Sequence, residues 1–464
     1  MYKSLDRLYL ILISLGIVYV LIYNIFHYDQ SFGYDGEAHG SYVDNILYMF
    51  EPGSDIPSST YTREFFSPPI PYIFSSTVNL ACKMYLQSED IFEHCRLLYS
   101  FNNMILQSIM FLFTLFTYKK IFELLKIKTS LLSILLLIGV FTANFKAVAM
   151  LRGEIYVLFF NSILMYRFIK LFKNNFKYKT SDILLIGSLI GLIALSKQWG
   201  FLLFPGYFVL VLFIKERSVK IMYSKLLIYT FFTGFIISSW FYFNLFFEYG
   251  SFTAFNMEPI GFSFYNQPRS FYLPFESDSS MVFTKPIRPY FRNQFIPILY
   301  SDLWGDYWGY FAFTSRALDI GRNQLLIGDY LARVNIVSLL PTVLLILGIK
   351  YSFNFSKKSN TKYVSYFISY VSMTVLISFI GFLWFLISYP ESSGDTNKAT
   401  YIIHLFHLIG ILSIIYLDKI RILSIKKYYS VVTLLVIVFF HNISAMMSHF
   451  PLQDTLKNIK FNLP

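Results

Sequence analysis

Asp35, Glu37, His39 and Glu64, four side chains able to take up or pass on a proton, fall in one stretch between Tyr34 and Tyr72. It reads YDGEAHGSY and then, after a gap, TREFFSPPIPY. A carboxylate here can serve as general base toward a hydroxyl, and the remaining acids and the histidine can orient an acceptor or a metal. Asp35, His39 and Tyr42 lie at i, i+4 and i+7, with Val43, Ile46, Leu47 and Phe50 at apolar helical spacing. That pattern predicts an amphipathic helix lying along a membrane surface, its polar face toward a cavity. Glu37 lies about 200° from Asp35 on such a helix, so the two acids converge only if the helix begins after Asp35. Each residue also has a plainer reading. Asp35 can be an N-cap, His39 a hydrogen-bonded interfacial residue, and Ser67–Tyr72 a rigid turn whose prolines lack N–H donors. Their concentration in one loop favours chemistry.

Candidate cations stand elsewhere in the chain: Arg152 in LRGEIY, Lys197 in SKQWGF and Lys398 in GDTNKATY, the last followed by Tyr401. Charge kept at a membrane boundary needs a partner, and a phosphate is one. Snorkelling, or pairing of Arg152 with Glu154 and of Lys398 with Asp395, is the other reading. A second acidic and aromatic run, LYSDLWGDYWGYF, covers 299–311. As a helix it puts Asp302 and Asp306 on one face and Trp304 and Trp308 on a nearly opposite one. The carboxylates can then meet a polar substrate while the indoles anchor in lipid or hold an isoprenoid or sugar. An interfacial aromatic belt would place the same tryptophans. Asp302 and Asp306 can hold a divalent cation such as Mg or Mn, although two acids alone do not make a metal site.

The elements that must carry these residues are membrane helices. The chain of 464 residues is 55% hydrophobic, 20% aromatic and 14% charged, with mean hydropathy +0.52, far from an average soluble domain. Apolar runs long enough for about 30 Å of hydrocarbon begin near Leu8, Leu97, Ser130, Leu151, Ile183, Gly200, Leu226, Val334, Val364, Thr400 and Ser430, eleven in all. The run at 8–26 is long and lacks a small-residue cleavage site, so it reads as a retained first helix. Loops 119–128, 167–182, 215–225, 350–362 and 418–427 hold 4, 5, 4, 4 and 4 Lys or Arg against 1, 1, 1, 0 and 1 acids. Loop 27–95 holds ten acids against Arg63 and Lys83. This alternation puts the N-terminus in the cytoplasm and the acidic loop outside. The net charge of +12 is thus a topology signal and a grip on anionic lipid. Dispersed over short loops, it makes no nucleic-acid surface. Cys82 and Cys95 both fall in the first outer loop, where a disulfide is permitted and free thiols equally so. The whole, 1–464, reads as a single membrane domain with two long outer loops, 27–95 and 248–332, and long loops in a compact domain are usually functional.

A first membrane helix, an outer loop with D-x-E-x-H-x-x-Y and E-x-x-x-P-P-x-x-Y, and then many spans resembles the GT-C superfamily of polyprenyl-phosphate-sugar-dependent glycosyltransferases. Within it, the chain is most similar to the protein mannosyltransferase and aminoarabinose transferase branch. The resemblance implies an all-α polytopic fold of about eleven spans with amphipathic juxtamembrane helices. It also implies inverting sugar transfer from a lipid-linked donor to a glycan, lipid or protein acceptor. An acid of the first outer loop acts as base in that family, or sits beside the reacting centre, and Asp35 is the matching position. Gly36 interrupts the commoner adjacent Asp-Glu pair and leaves the division of labour between Asp35 and Glu37 open. Lys398 with Tyr401 resembles, at looser spacing, a basic residue before a tyrosine near the family's last helices. A leaving phosphate needs no general acid, so one base and a few cations suffice. A transporter or flippase of lipid-linked saccharides is the alternative, and a non-catalytic assembly subunit a third. Transporters favour repeats and broken midplane helices, which the sequence does not display. Short loops point to a prokaryotic plasma membrane, with the site on its outer face.

Overall fold

A computed structural model of the chain describes residues 2–27, 36–46, 59–85, 91–127, 129–273, 281–284, 286, 293–305, 324–358, 361–391 and 396–446. Every regular element among them is helical. In chain order these are α1 (Tyr2–His27), α2 (Gly36–Asn45), α3 (Ile70–Tyr85), α4 (Ile91–Leu124), α5 (Leu131–Ile134), α6 (Thr142–Ala149), α7 (Glu154–Lys173) and α8 (Thr180–Ala194). There follow α9 (Phe204–Phe213), α10 (Arg217–Tyr249), α11 (Phe295–Trp304), α12 (Gln324–Val337), α13 (Leu339–Lys358), α14 (Lys362–Ser388), α15 (Ile403–Leu423) and α16 (Ile425–Met446). A 3₁₀ turn, Gln198–Leu203, leads into α9.

Seven helices among the described residues are long and apolar enough to cross a membrane, against the eleven spans expected. They are Ser4–Phe26, His94–Leu124, Glu154–Lys173, Arg217–Tyr249, Gly328–Ser356, Lys362–Ser388 and Ile403–Leu423. Of the four expected runs not among them, the one near Ser430 forms the 22-residue helix α16, and the other three differ for a physical reason. Thr180–Ala194 is a helix of 15 residues, about 22 Å long at 1.5 Å per residue, short of a full bilayer. Gln198–Phe213 is likewise a shorter apolar segment. The run beginning near Ser130 is broken, Leu131–Gly139 and Thr142–Ala149 meeting at 74°.

That break is where polar side chains inside apolar helices find their use. α5 widens into a π-helical stretch, Leu135–Gly139, and Phe141 is extended before α6 begins. Backbone groups freed inside hydrocarbon must be answered by neighbours. Asn144 Nδ2 donates to Ile138 O at 2.7 Å, Asn24 Nδ2 to Phe145 O at 2.9 Å, and Gln107 Nε2 to Met150 O at 2.6 Å. His407 Nε2 lies 2.8 Å from Asn144 Oδ1, and its Nδ1 3.1 Å from Tyr118 OH. Elsewhere small residues let helices touch. A Cβ on Gly187 would lie 2.4 Å from Thr233 Cβ, and one on Gly191 2.8 Å from Ile237 Cβ. This GxxxG face brings α8 against α10, since helices in lipid gain from close backbone approach.

α4, α7 and α15 end, and α10 and α14 begin, at the basic loops. Phe172, Phe176, Tyr223 and Tyr366 stack there, joining three of these loops. The opposite helix ends carry the candidate residues. α3 is strapped to α4 by a Cys82–Cys95 disulfide with a sequence separation of 13, so of the two readings of these cysteines the paired one holds. Closing a loop of this length stabilises by up to about 3 kcal/mol. Cys82→Ser is therefore expected to lower the thermal midpoint by several degrees in detergent. Reduction should slow the wild-type chain on a non-reducing gel and leave the variant's mobility unchanged.

Candidate functional site

The turn 59–69 and α3 form the floor of the site. Thr62 Oγ1 donates to Ala38 O at 2.6 Å and accepts from Glu64 N–H at 3.1 Å, fixing Glu64 beside α2. Ser67 Oγ donates to Glu64 Oε2 at 2.7 Å, and Tyr42 OH donates to Ser67 O at 2.7 Å. His39 Nδ1 meets Tyr72 OH at 2.7 Å while its Nε2 lies 3.7 Å from Glu64 Oε1. Glu64, His39, Ser67, Tyr42 and Tyr72 are all buried. The two motifs quoted from the sequence are thus one hydrogen-bonded unit. Pro68, Pro69 and Pro71 lack donors, and the first free N–H beyond the proline pair, Ile70, bonds Leu195 O at 3.1 Å.

Leu195 leads directly to the cations. The turn 150–153 must pass against Ser196 and Lys197, and only glycine permits it: a Cβ on Gly153 would lie 1.8 Å from Ser196 O and 3.1 Å from Lys197 Cβ. This approach sets Arg152 next to Lys197 in the chain's interior, both buried. Gln198 Nε2 donates to Phe66 O at 3.0 Å and to Ala254 O at 3.3 Å, closing the 195–199 segment onto the Glu64 turn. Burial drives the Glu64 carboxyl upward, but the charges of His39, Lys197 and Arg152 and the Ser67 hydroxyl outweigh it. The result is a value of about 2, below the usual 4.5. Burial, reinforced by the Glu64 charge, raises both Tyr42 and Tyr72 well above the ordinary phenol, so both hydroxyls stay neutral donors. Glu154 opens α7, where the helix dipole favours an anion. Its carboxylate oxygens are buried without a hydrogen-bond partner among the described residues.

Beyond Ser67 and Lys197 opens an apolar cavity of about 220 Å³, walled by Phe66, Pro68, Trp199, Phe201, Phe255 and Phe385 with Trp384 and Tyr389. Trp384 is 52% exposed on the helix bundle's outer surface. Trp199 is central to the wall: its indole stacks on Tyr401 (5.2 Å, 22°) and meets Phe385 edge-on at 4.5 Å. Lys398 Nζ lies 5.5 Å from the Tyr401 ring centre. The loop 396–402 therefore reaches the cavity wall through Tyr401, and of the expected cations Lys197 itself lines the cavity, with Arg152 behind it across the Gly153 contact and Lys398 beside the Tyr401 ring.

Other expected residues have different surroundings. Asp302 is buried, paired with Lys146 at 2.6 Å and accepting from Ala399 N–H at 2.5 Å. Trp304 is neither a lipid anchor nor exposed to a substrate. It is 2% exposed, donates from Nε1 to Thr342 Oγ1 at 2.9 Å and packs on Phe141. The face separation read from the sequence loses its meaning because α11 is buried on several sides, from Phe295 and Pro297 to Trp304. Tyr42 holds the Ser67 turn through its hydroxyl. Asp35, Asp306 and Trp308 lie outside the described residues, as does the side chain of Glu37. No group of three or more His, Cys, Asp or Glu side chains gathers among the described residues. Sequence reasoning missed Lys146, Gln198 and Trp199. A lysine inside the apolar stretch Thr142–Ala149 was the available signal for the first.

No family model matches the chain, and no curated protein does. Among solved structures it is similar to the apo oligosaccharyltransferase of Archaeoglobus fulgidus. The two share 16% identity over 98% of this chain and 58% of that one, with a TM-score of 0.43. The chain thus spans under two thirds of that protein's length.

Two consequences can be measured. Gly153→Ala must push the 150–153 turn off Ser196, and overpacking of this kind costs about 1–3 kcal/mol. A drop in thermal midpoint, with Arg152 becoming more accessible to arginine-specific reagents, is the expected outcome. Glu64, depressed from 4.5 to about 2, contributes stability that is complete above its unfolded value. That contribution is lost as pH falls through the window from 4.5 to about 2. Glu64→Gln should lower stability at pH 7 and flatten the acid limb of the midpoint-versus-pH curve.

Proposed function

We propose that this protein is a membrane glycosyltransferase. In this reading it moves a sugar from a polyprenyl-phosphate donor to an acceptor hydroxyl on the non-cytoplasmic face, inverting the anomeric carbon. One observation carries the reading: an aromatic, apolar cavity whose wall includes the exposed Trp384 of the apolar helix α14 also has Lys197 in its lining, with Arg152 and an ionised, buried Glu64 close to that lysine. A prenyl chain matches the aromatic walls, and the phosphate at its head matches the cations, which act strongly where water is excluded. The resemblance of the loop motifs to the GT-C superfamily agrees with it. So does the placement of the site at the helix ends opposite the basic loops, the outer face by the positive-inside rule.

The chemistry assigns different work to different acids. A general base operates best with a value near the working pH; a carboxyl held at about 2 is a poor proton acceptor. Glu64 is therefore read as the fixed anion that orients His39 and the cations, which leaves the base role to Asp35, with Glu37 second. In the transfer step Asp35 takes the acceptor's proton. The acceptor oxygen bonds the anomeric carbon, and the bond from that carbon to the phosphate oxygen breaks. Its electron pair leaves on the phosphate, where Arg152, Lys197 and Lys398 meet the charge.

The transporter reading has one observation in its favour, the broken pair Leu131–Ala149, since discontinuous helices build transport sites. The break is filled, however, by Asn144, His407 and Tyr118, which hydrogen-bond to one another and to Ile138 O. The two readings separate experimentally in proteoliposomes with a radiolabelled polyprenyl-phosphate sugar. The enzyme reading expects transfer to an added acceptor that falls at least about a hundredfold, the usual scale of a general base, in Asp35→Asn, with donor binding retained. Lys197→Met should instead weaken donor binding. Movement of the donor across the bilayer without transfer would support the transporter, and full activity of Asp35→Asn would overturn the assignment of the base.

A further inference from the structure

A deeply buried ion pair among the described residues lies outside the cavity. Lys146 Nζ in α6 and Asp302 Oδ1 in α11 are 2.6 Å apart, with 1% and 4% of their side chains exposed. One further bond ties the same elements, Thr142 Oγ1 to Trp304 O at 2.6 Å, and Asn397 Nδ2 ties the loop 396–402 to α11 by donating to Phe295 O at 2.9 Å. Burial of an ion pair is weak evidence for a gain in stability, because apolar residues of similar volume commonly do as well or better. What an apolar pair cannot do is accept a hydrogen bond. Asp302 uses its second oxygen, Oδ2, to accept from the backbone N–H of Ala399 at 2.5 Å, the residue directly after Lys398.

We propose that Lys146 and Asp302 form a positioning device: Lys146 holds the Asp302 carboxylate so that its free oxygen anchors the loop 396–402, and thereby sets Lys398 and Tyr401 against the cavity. The chain of contact is short. Ala399 is fixed by Asp302, Lys398 Nζ stands 5.5 Å from the Tyr401 ring centre, and that ring stacks on Trp199 at 5.2 Å in the cavity wall. Neither Lys146 nor Asp302 lines the cavity, so both act through the loop and not on a substrate. Neutralising one oxygen with lysine also answers the cost of keeping a carboxylate among Trp304, Phe141 and the surrounding core. The proposal rests on the function proposed above only for its kinetic consequence; the anchoring of the loop stands on geometry.

Two double variants remove the charges equally and differ only in the side chain at 302, an amide against an apolar group of similar shape. Lys146→Met with Asp302→Asn keeps an acceptor for Ala399, whereas Lys146→Met with Asp302→Leu does not. Hydrogen exchange of the peptide spanning 396–402 is the first readout and needs no substrate. Protection should be retained in the Asn variant and fall about tenfold or more in the Leu variant, the scale of one lost hydrogen bond to a buried acceptor. Donor KM is the second, expected to rise about tenfold in the Leu variant with kcat little changed and to recover in the Asn variant. Equal exchange and equal KM in the two variants would overturn the proposal. So would loss of thermal stability in both with no difference between them. A loop that loses protection in the Leu variant of a protein with no sugar transfer would uphold the anchoring and sink the glycosyltransferase reading instead.

Discussion

The structure depends on a close approach of two backbones. The turn at Gly153 lies so near Ser196 that no side chain fits between them, and the neighbours of that contact are the charged groups of the site. Arg152 precedes the glycine and Lys197 follows the serine, while Leu195, one residue earlier, receives the N–H of Ile70 and so captures the proline turn with Glu64. A protein that needs two cations and a carboxylate at one spot in a low-dielectric surround must supply the geometry from backbone contacts, since free like charges would separate.

Electrostatics and packing reinforce one another there. Glu64 would resist ionisation by burial alone; the positive neighbours reverse that balance, and its ionised oxygens in turn accept from Ser67 and face His39. The tyrosines around it, Tyr42 and Tyr72, remain donors because the same burial and the same negative charge hold their protons. The site is accordingly rigid on its polar side and aromatic on the other. That contrast suits a ligand with a charged head and a hydrocarbon tail.

Polar residues inside the bundle follow a second rule. Asn24, Gln107, Asn144 and His407 look in isolation like candidates for chemistry, but the first three donate to backbone carbonyls of the broken segment 131–150, and His407 meets the Asn144 side chain. Lys146 and Asp302 belong between these classes: fully enclosed, yet joined to the loop that carries Lys398. Burial alone therefore does not separate structural polar groups from functional ones. The partner of each atom does.

Composition and the alternation of basic loops determined by themselves that this is a helical membrane protein and which helix ends are basic, and the spacing of the motifs put Glu64, His39 and the proline turn in one stretch of chain. Those properties are local or additive along the chain, so a linear reading recovers them. The number of full spans was not legible, because hydropathy does not distinguish a crossing helix from the short Thr180–Ala194 or from a segment bent at Phe141. Nor was the company each charge keeps. Arg152 and Lys197 are far apart in sequence and only the packing at Gly153 brings their turns into contact, while Tyr401, beside Lys398, reaches the cavity wall only by stacking on Trp199. Asp302 and Trp304 had looked like substrate contacts, and the tertiary burial of α11 on several sides decided otherwise: where opposite faces of a helix are both covered, the angle between two of its side chains no longer says which of them meets a ligand.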